Sequence, residues 1–248
     1  MDKVLLVTGG SRGIGAATAL LAASKGYAVA VNYTSNAQAA DAVVQQIRAG
    51  GGSAMSVQAD VADEAQVLAM FEQVGASLGR LSALVNNAGI VDTTQRVDEM
   101  SLARWRRMFD INVFGTMLCA REAVRCMSTR HGGPGGAIVN VSSVASTLGA
   151  AGQYVDYAAA KGAVDTFTVG LAREVAAEGV RVNAVRPGVI DTEIHASGGQ
   201  PGRAQKLASI IPMQRPGTAQ EVANAIVWLL SEDAAYATGA ILDITGGR

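Results

Sequence analysis

The residues best suited to chemistry are a tyrosine and a lysine that stand four positions apart. Tyr157 and Lys161 lie in the run D-Y-A-A-A-K, whose alanines favour a helix. At this spacing both side chains project from the same helix face. An ammonium group beside a phenol favours the phenolate and lowers the tyrosine pKa from its usual value near ~10. The pair therefore predicts acid–base catalysis, although an exposed helix pair has the same spacing.

Serine hydroxyls in the segment 142–161 offer a hydrogen bond to the same reacting oxygen. Neighbouring strand residues face opposite ways, so only one of Ser142 and Ser143 can enter the site. Either serine, like Ser146, can instead cap a turn. Tyr154 lies roughly 10 Å along the helix from Lys161, whereas Tyr157 lies within about one turn, so Tyr157 is the better candidate for the acid.

A glycine-rich turn near the start of the chain has the form of an anion-binding site. The apolar run 4–7 precedes T-G-G-S-R-G-I-G, and an alanine- and leucine-rich helical pattern follows at 16–25. Glycines let backbone N–H groups approach a phosphate, and the positive end of the helix attracts the anion. The order strand, glycine turn, helix predicts nucleotide binding, although glycines can serve turn geometry alone and the spacing departs from G-x-G-x-x-G.

The rest of the chain alternates between strand and helix patterns. Alternation of this kind builds a parallel sheet covered by helices on both faces, so we predict an α/β fold in a single domain over residues 1–248. The expected strands are 27–33, 54–58, 83–85, 137–141, 180–185 and 241–244, and the expected helices are 37–49, 64–78, 101–127, 155–178 and 219–230.

Residues 188–217 form the exception to this alternation, because they are rich in glycine and proline and show no long period. Long loops in compact domains are often functional, and this one follows the sixth strand, at the edge where open α/β sheets bind ligands. We predict a substrate lid here. His195 within it is a candidate substrate contact or a surface residue.

Composition limits the possible partners. The chain has 248 residues, 49% of them hydrophobic, a net charge of −1 and no run of Lys or Arg, which disfavours nucleic acid and a membrane surface. No apolar run reaches spanning length, and no secretory signal is recognisable, so we expect a cytoplasmic protein.

Cys119 and Cys126 stand seven positions apart, about 10 Å in a helix, beyond disulfide reach. No Cys/His cluster indicates a metal.

Further motifs accompany these features: Asp60-Val61, N-N-A-G at 86–89, Asn112 and Pro187-Gly188. Together with T-G-x-x-x-G-I-G and Y-x-x-x-K, they make the chain similar to the short-chain dehydrogenase/reductase family. The resemblance is to the compact members, near the β-ketoacyl-carrier-protein reductase and glucose dehydrogenase branches. It implies a Rossmann sheet in the order 3-2-1-4-5-6-7, hydride transfer with a nicotinamide cofactor, and a homotetramer.

The resemblance also implies catalytic roles. Tyr157 would give its proton to the carbonyl oxygen, while Lys161 would lower the tyrosine pKa and hold the nicotinamide ribose. Ser143 would hydrogen-bond the same oxygen as negative charge develops there. Asn112, in a stretch where asparagine and the nearby Gly115 disfavour a helix, would hold a water that links Lys161 to solvent. The alternative is a solvent-facing asparagine.

The second strand indicates which cofactor is preferred. An acidic residue at its end would bind the 2′-hydroxyl of NAD, but neutral residues stand there and Arg12 can supply a positive charge, so we predict NADP(H) over NAD(H). The expected cofactor-binding residues are Gly9, Ser11, Arg12, Gly13, Ile14, Gly15, Asn32, Tyr33, Thr34, Ser35, Asp60, Val61, Asn87, Ala88, Gly89, Tyr157, Lys161, Pro187, Gly188, Ile190 and Thr192.

The sequence thus predicts an NADPH-dependent reductase of 3-oxoacyl or similar carbonyl compounds. A sugar or polyol dehydrogenase is the alternative, and a nucleotide-sensing protein without catalysis is an alternative of another class. A halohydrin dehalogenase is disfavoured, because that class has arginine where Lys161 stands. Arg104 and Arg107 on the long helix are either contacts for an acidic acyl carrier protein or solvated helix charges.

Overall fold

The structure, a computed structural model, describes residues 3–194 and 198–248. His195 therefore lies outside the described residues. Within them, seven parallel strands form one sheet in the order β3-β2-β1-β4-β5-β6-β7, as predicted. The strands are β1 Lys3–Val7, β2 Tyr27–Tyr33, β3 Ala54–Gln58, β4 Leu81–Asn86, β5 Gly136–Val141, β6 Val180–Pro187 and β7 Ile241–Ile244.

Helices connect the strands and cover both faces of the sheet. Local capping signals begin several of them: Asn36 and Asp63 each accept a backbone N–H in the first turn of the helix that follows, and Thr218 and Glu221 form a capping box. The helices are α1 Gly13–Ser24, α2 Ala37–Ala49, α3 Glu64–Leu78, α4 Leu102–Phe109, α5 Gly115–Met127, α6 Ala145–Leu148, α7 Val155–Val175, α8 Arg203–Lys206 and α9 Ala219–Leu230.

The core lies on the two sides of the sheet, as β1 illustrates. Leu5 and Val7 pack with α1, α2 and α9, whereas Val4 and Leu6 pack with α3, α5 and α7. This alternation follows from the two-residue period of a strand. Because both faces are buried, the strand reads as a continuous apolar run in the sequence.

The segment 188–217 follows β6, and its two ends pair with each other beside the sheet. A parallel bridge joins Ile190 to Gly217, with hydrogen bonds of 2.9 Å from Asp191 N to Gly217 O and from Gly217 N to Val189 O. Within its described residues, a small apolar cluster of Val189, Ala204 and Ile211 packs α8 inward. The segment thus begins and ends at one point, above the carboxyl end of β6.

Two smaller features complete the fold. Cys119 and Cys126 are both free thiols, as their spacing predicts. Among the helices of residues 3–194 and 198–248, none is both long enough and apolar enough to cross a membrane.

Candidate active site

The first turns of α7 carry the tyrosine and lysine to the end of β5. Lys161 Nζ donates a hydrogen bond of 2.8 Å to the Val141 carbonyl and lies 5.7 Å from the centre of the Tyr157 ring. The Ser142 hydroxyl donates to the Lys161 carbonyl at 3.3 Å. The end of β5 and the helix face that carries Tyr157 and Lys161 are therefore held together by hydrogen bonds to backbone atoms.

Burial sets the electrostatics of this pair, since Tyr157 is 8% exposed and Lys161 is 4% exposed. Burial raises the pKa of Tyr157 to about 12, against the opposing effect of a hydrogen bond with Ser143. Burial also lowers the pKa of Lys161 to about 8, opposed by the charge of Asp165. Loss of solvent is the dominant effect on the phenol, so in this arrangement it outweighs the lowering of the Tyr157 pKa that the sequence predicts from Lys161. Tyr157 is a protonated phenol at neutral pH.

The structure distinguishes the serines that the sequence left open. Ser143 lies beside the phenol, with which it shares a hydrogen bond, and its Oγ accepts the Ala145 N–H at 3.1 Å. It therefore both caps a turn and faces Tyr157. Ser142 is buried and bonded to the helix backbone instead. The geometry thus singles out Ser143 as the serine whose hydroxyl is hydrogen-bonded to the Tyr157 phenol.

Asn112 occupies a π-helical turn, Asp110–Phe114, which interrupts the continuous helix predicted over 101–127. Its Nδ2 donates to the carbonyls of Met108 and Ile90 at 3.0 and 3.1 Å, and its Oδ1 accepts the Ile90 N–H at 3.2 Å. Asn112 is fully buried, so the alternative of a solvent-facing asparagine is wrong. These bonds compensate for the poor helix propensity and hold the wide turn open.

Two glycines let other segments close around this turn. A Cβ at Gly89 would lie 2.7 Å from Asn112 Oδ1 and 3.5 Å from Lys161 Nζ. A Cβ at Gly115 would lie 2.6 Å from a methyl carbon of Val61. The unfavourable Gly115 is therefore explained by close packing of α5 on Val61, and Gly89 lets Asn112 and Lys161 approach each other.

The glycine turn after β1 is held by the end of β4. Asn87 Nδ2 donates to the carbonyls of Thr8 and Gly9, both at 2.9 Å, and the Thr8 hydroxyl accepts the N–H groups of Asn87 and Ala88 at 3.0 Å. Gly9 has φ +59°, a conformation that glycine adopts readily. A Cβ at Gly15 would lie 2.6 Å from Asn87 Nδ2. The glycines therefore permit both the turn and this close approach.

The N-terminus of α1 differs from those of α2, α3 and α9. It begins at Gly13 with no side-chain cap, whereas a side chain caps each of the other three, and the exposed Arg12 precedes it. Its first N–H groups and positive end are thus suited to a phosphate group. With the glycine turn beside it, this end of α1 fits the pyrophosphate of a dinucleotide.

Asn32 has a different environment from the other polar residues at the end of β2. It is 1% exposed, its Oδ1 accepts the Gly9 N–H at 3.1 Å, and its Nδ2 donates to the Ala59 carbonyl at 3.0 Å. Its polar atoms are engaged inside the protein, where they brace the glycine turn. Thr34 and Ser35 are exposed and Tyr33 is half-buried, so these residues form the neutral rim beyond β2.

Asp60 stabilises the turn that follows β3. Its Oδ1 accepts the Ala62 N–H at 3.0 Å, and its own N–H donates to Gln66 Oε1 at 2.9 Å. The alternative that Asp60 is a helix N-cap is wrong, because Asp63 caps α3. Val61, beside it, is buried against Gly115.

A cavity of about 320 Å³ brings many of the predicted residues together at the carboxyl edge of the sheet. Asn112 lies behind Gly89, next to this cavity. The glycine turn and the end of β2 continue away from it, on the side of β1 and β2. The predicted residues that line the cavity are Ile14, Asn87, Gly89, Ser143, Tyr157, Lys161, Pro187, Gly188, Ile190 and Thr192.

Sequence reasoning missed a second polar part of the cavity lining, which we call the arginine wall: Gln153, Tyr154, Gln200 and Arg203. Arg203 Nη2 donates to Gln153 Oε1 at 2.6 Å, and its Nη1 donates to Gln200 Oε1. No motif marks these residues, which come from two distant segments. We call Ser143, Tyr157 and Lys161 the catalytic wall.

Arg104 also differs from expectation. Its Nε donates to Asp156 Oδ2 at 2.7 Å, and its side chain is only 7% exposed. Both interpretations of Arg104, as a carrier-protein contact and as a solvated charge, are therefore wrong. The ion pair instead anchors the residue immediately before Tyr157. Arg107 is exposed.

Comparison with known proteins agrees with this fold. The family model described as Enoyl-(Acyl carrier protein) reductase matches residues 9–248. The chain belongs to the short-chain dehydrogenase/reductase family, whose members are NAD(P)-using oxidoreductases.

Individual relatives match the chain over nearly its whole length. It is 58% identical over 245 residues to the uncharacterized oxidoreductase YgfF of Escherichia coli K12, covering 99% of each chain. It is 41% identical over 246 residues to a 3-oxoacyl-[acyl-carrier-protein] reductase of Synechocystis, covering 99% of this chain and 96% of the relative. A short-chain dehydrogenase of Burkholderia cenocepacia, solved in complex with NADP, superposes with a TM-score of 0.90 at 34% identity, covering 100% and 98% of the two chains.

Proposed function

We propose that this protein is an NADPH-dependent reductase of carbonyl compounds, acting on 3-oxoacyl or similar substrates. The observation that carries the proposal is the convergence of Ser143, Tyr157 and Lys161 on one cavity with residues of the cofactor motifs. The relative from Synechocystis, a 3-oxoacyl-[acyl-carrier-protein] reductase, supports the substrate class.

In the proposed reaction, the substrate carbonyl oxygen lies against Ser143 and Tyr157. When bound, the nicotinamide cofactor supplies a hydride to the carbonyl carbon. The Ser143 hydroxyl donates a hydrogen bond to the oxygen as its negative charge grows, and the Tyr157 phenol transfers its proton there. The raised pKa of Tyr157 keeps this proton in place until the oxygen becomes basic enough to take it.

Lys161 and Asn112 are the remaining residues of the proposed site. Lys161 lies near the Tyr157 ring and, next to Gly89, near Asn112 Oδ1, so a proton can be returned to the phenol from this side. A Lys161 pKa of about 8 lets the ammonium release a proton near neutral pH. The hydrogen bonds of Asn112 hold the π-helical turn in place next to Lys161.

Preference for NADP(H) is the second part of the proposal. The exposed Arg12 at the start of α1 can pair with a 2′-phosphate, and the neutral rim Tyr33, Thr34 and Ser35 brings no repelling carboxylate. The NADP complex of the relative from Burkholderia cenocepacia agrees with this assignment. Dissociation constants for NADPH and NADH test it directly, and tenfold tighter binding of NADH would contradict it.

A sugar or polyol dehydrogenase is the alternative substrate class. A polyol needs hydrogen-bond partners for several hydroxyl groups, whereas Val91, Leu148 and Val189 are among the apolar residues that line the cavity. We therefore favour the carbonyl reductase.

We further propose a homotetramer. The surface between α5 and α7 carries half-buried apolar side chains, among them Met117, Phe167 and Leu171, beside the 53% exposed Phe114. Light scattering on the purified protein tests this assembly, and a monomer at micromolar concentration would contradict it.

The test of the function is NADPH and NADH oxidation with 3-oxoacyl thioesters, diketones, aldehydes and sugars. We expect turnover with carbonyl compounds and a loss of about 10²–10⁴ in kcat for Tyr157→Phe, the range for a missing general acid. Tyr236→Phe is the matched control, because Tyr236 is fully exposed and outside the cavity. Full turnover by Tyr157→Phe would overturn the mechanism.

A further inference from the structure

The arginine wall places a cation one aromatic ring away from the proposed acid. The Arg203 guanidinium lies 5.4 Å from the centre of the Tyr154 ring, which in turn packs edge-on at 5.9 Å from the Tyr157 ring. Arg203 and Tyr157 both line the cavity. One small molecule in the cavity can therefore contact the guanidinium and the phenol together.

Neutral groups hold Arg203 in position. Gln153 and Gln200 each accept one of its hydrogen bonds, and Tyr154 lies beneath its planar group. These contacts orient the guanidinium and leave its charge uncompensated. Over residues 3–194 and 198–248, no salt bridge includes Arg203.

Two other arginines of the fold form ion pairs with carboxylates and can be compared with Arg203. Arg104 is paired with Asp156, and in the lid segment itself Arg215 is paired with Glu221 at 2.6 Å. Arg203 uses only part of its N–H donors on the glutamines, so further donors remain for a ligand. A half-buried cation with oriented neutral neighbours and spare donors is suited to an anionic ligand.

The charge of the whole cavity agrees with this. The side chains of Lys161 and Arg203 line it, whereas Asp92 is the acidic side chain among the described residues that do so. The carboxylate of Asp92 is bonded to the Thr93 N–H at 2.7 Å. Positive charges in a cleft with apolar walls focus their field on the enclosed space, which favours an anion there.

We propose that Arg203 binds a carboxylate of the substrate, so that the preferred substrates are small oxo acids with the carbonyl and the carboxylate at opposite ends of a short carbon chain. This inference rests on the proposed carbonyl reduction, whose site it extends. A guanidinium pairs with a carboxylate through parallel hydrogen bonds, which fixes the direction of the chain. The carbonyl end then lies toward Ser143 and Tyr157.

Paired substrates with and without the charge test the inference by turnover. The substrates are 4-oxopentanoate and 5-oxohexanoate, each against its methyl ester, with NADPH. For the wild-type protein we expect kcat/KM at least about tenfold higher for the acids, and for Arg203→Gln we expect this advantage to disappear through a higher KM. The esters should be reduced equally well by both proteins.

Lys206→Gln is the matched control, because Lys206 is an exposed cation on the same short helix as Arg203 and does not line the cavity. It makes the same change of charge and should keep the preference for acids. Equal losses on acids and esters in Arg203→Gln would mean that Arg203 only supports the lid, and would overturn the inference. So would a wild-type protein that reduces the esters as well as the acids.

A binding measurement separates this inference from the proposed function. Calorimetry with hexanoate and hexanamide, on the protein with and without NADPH, needs no turnover. We expect hexanoate to bind, and to bind about 10- to 100-fold more weakly to Arg203→Gln, while hexanamide is unaffected. If no carbonyl compound is reduced but this difference holds, the function fails and the anion site stands. If Arg203→Gln binds hexanoate as tightly as wild type, the anion site fails.

Discussion

The catalytic wall and the arginine wall line one cavity but are held in different ways. Lys161 is hydrogen-bonded to the carbonyl of Val141, and the supporting Asn112 is bonded to backbone groups of two segments. Arg203 is held by the side chains of Gln153 and Gln200. The catalytic wall is thus held by hydrogen bonds to backbone atoms of the sheet and its helices. The arginine wall is held by hydrogen bonds between side chains.

This difference separates what the fold determines from what the sequence can adjust. Buried groups bonded to backbone leave unpaired partners when they are replaced, so their loss affects chemistry and stability together. Side chains held by other half-exposed side chains can change with a smaller effect on the fold. We expect substitutions in the catalytic wall to abolish turnover. Substitutions in the arginine wall should instead change the affinity for the substrate.

The largest effect is expected for Lys161→Met, which removes the charge at the base of the catalytic wall. We expect kcat/KM to fall by about 10²–10⁴, because the proposed proton path to Tyr157 is lost. Steady-state kinetics with NADPH measure the fall. Lys206→Met is the control, since it removes an exposed charge that does not line the cavity, and a similar fall in that variant would contradict the comparison.

Asn112→Ala is expected to lower the free energy of unfolding by roughly 2–4 kcal/mol. The backbone groups of Ile90 and Met108 would lose buried hydrogen bonds, at about 1–3 kcal/mol for each unpaired group. Denaturant unfolding measures the change. Asn224→Ala, at an exposed position of α9, should shift it by less than about 0.5 kcal/mol. Similar values for the two variants would contradict the role of the π turn.

Stability should depend on pH through Lys161. Its pKa is lowered to about 8 in the folded protein from an ordinary value of 10.5, so the unfolded chain binds more protons between these values. The free energy of unfolding should therefore rise with pH over this window, by up to roughly 2 kcal/mol between pH 8 and 10. The measurement compares wild type with Lys161→Met by chemical unfolding.

The comparison isolates the lysine because other buried groups remain in both proteins. Burial raises the pKa values of Tyr157 and Cys119 to about 12, which lowers stability at the alkaline end in the same way for each. A difference between the two proteins that stays constant from pH 8 to 10 would show that Lys161 titrates normally.

The smallest effect is expected for Gln153→Ala in the arginine wall. Removal of one neutral hydrogen-bond partner should loosen Arg203 and raise KM for oxo acids by about two- to fivefold, with kcat and the free energy of unfolding nearly unchanged. Kinetics and denaturant unfolding on one preparation check both. A large loss of kcat would mean that the two walls are not separable.

Much of the fold could be predicted from the sequence because its signals are local. The bounds of β2, α2, β3 and α3 coincide with the predicted ranges, where Gly26, the glycines at 50–52 and the caps Asn36 and Asp63 mark the ends. Tyr157 and Lys161 share one helix turn, so their proximity also follows from spacing alone.

The features that were not predicted depend on contacts between distant residues. The π turn forms because Asn112 bonds to Ile90, twenty-two positions away, and the arginine wall forms because Arg203 meets Gln153, fifty positions away. The direction of the Tyr157 pKa shift depends on how deeply the assembled fold buries the ring. None of these is encoded in a short motif.

The bridge between Ile190 and Gly217 has a consequence for engineering. It joins the two ends of the segment 188–217 at one point beside β6, so the segment can be treated as a cassette with a fixed base. Because loop closure depends only weakly on loop length, a cassette from a relative with another substrate can be grafted between these residues at little cost to the sheet. Such chimeras would replace Arg203 and Gln200 while retaining Ser143, Tyr157 and Lys161. The substrate preference could then be changed by replacing one segment of the chain.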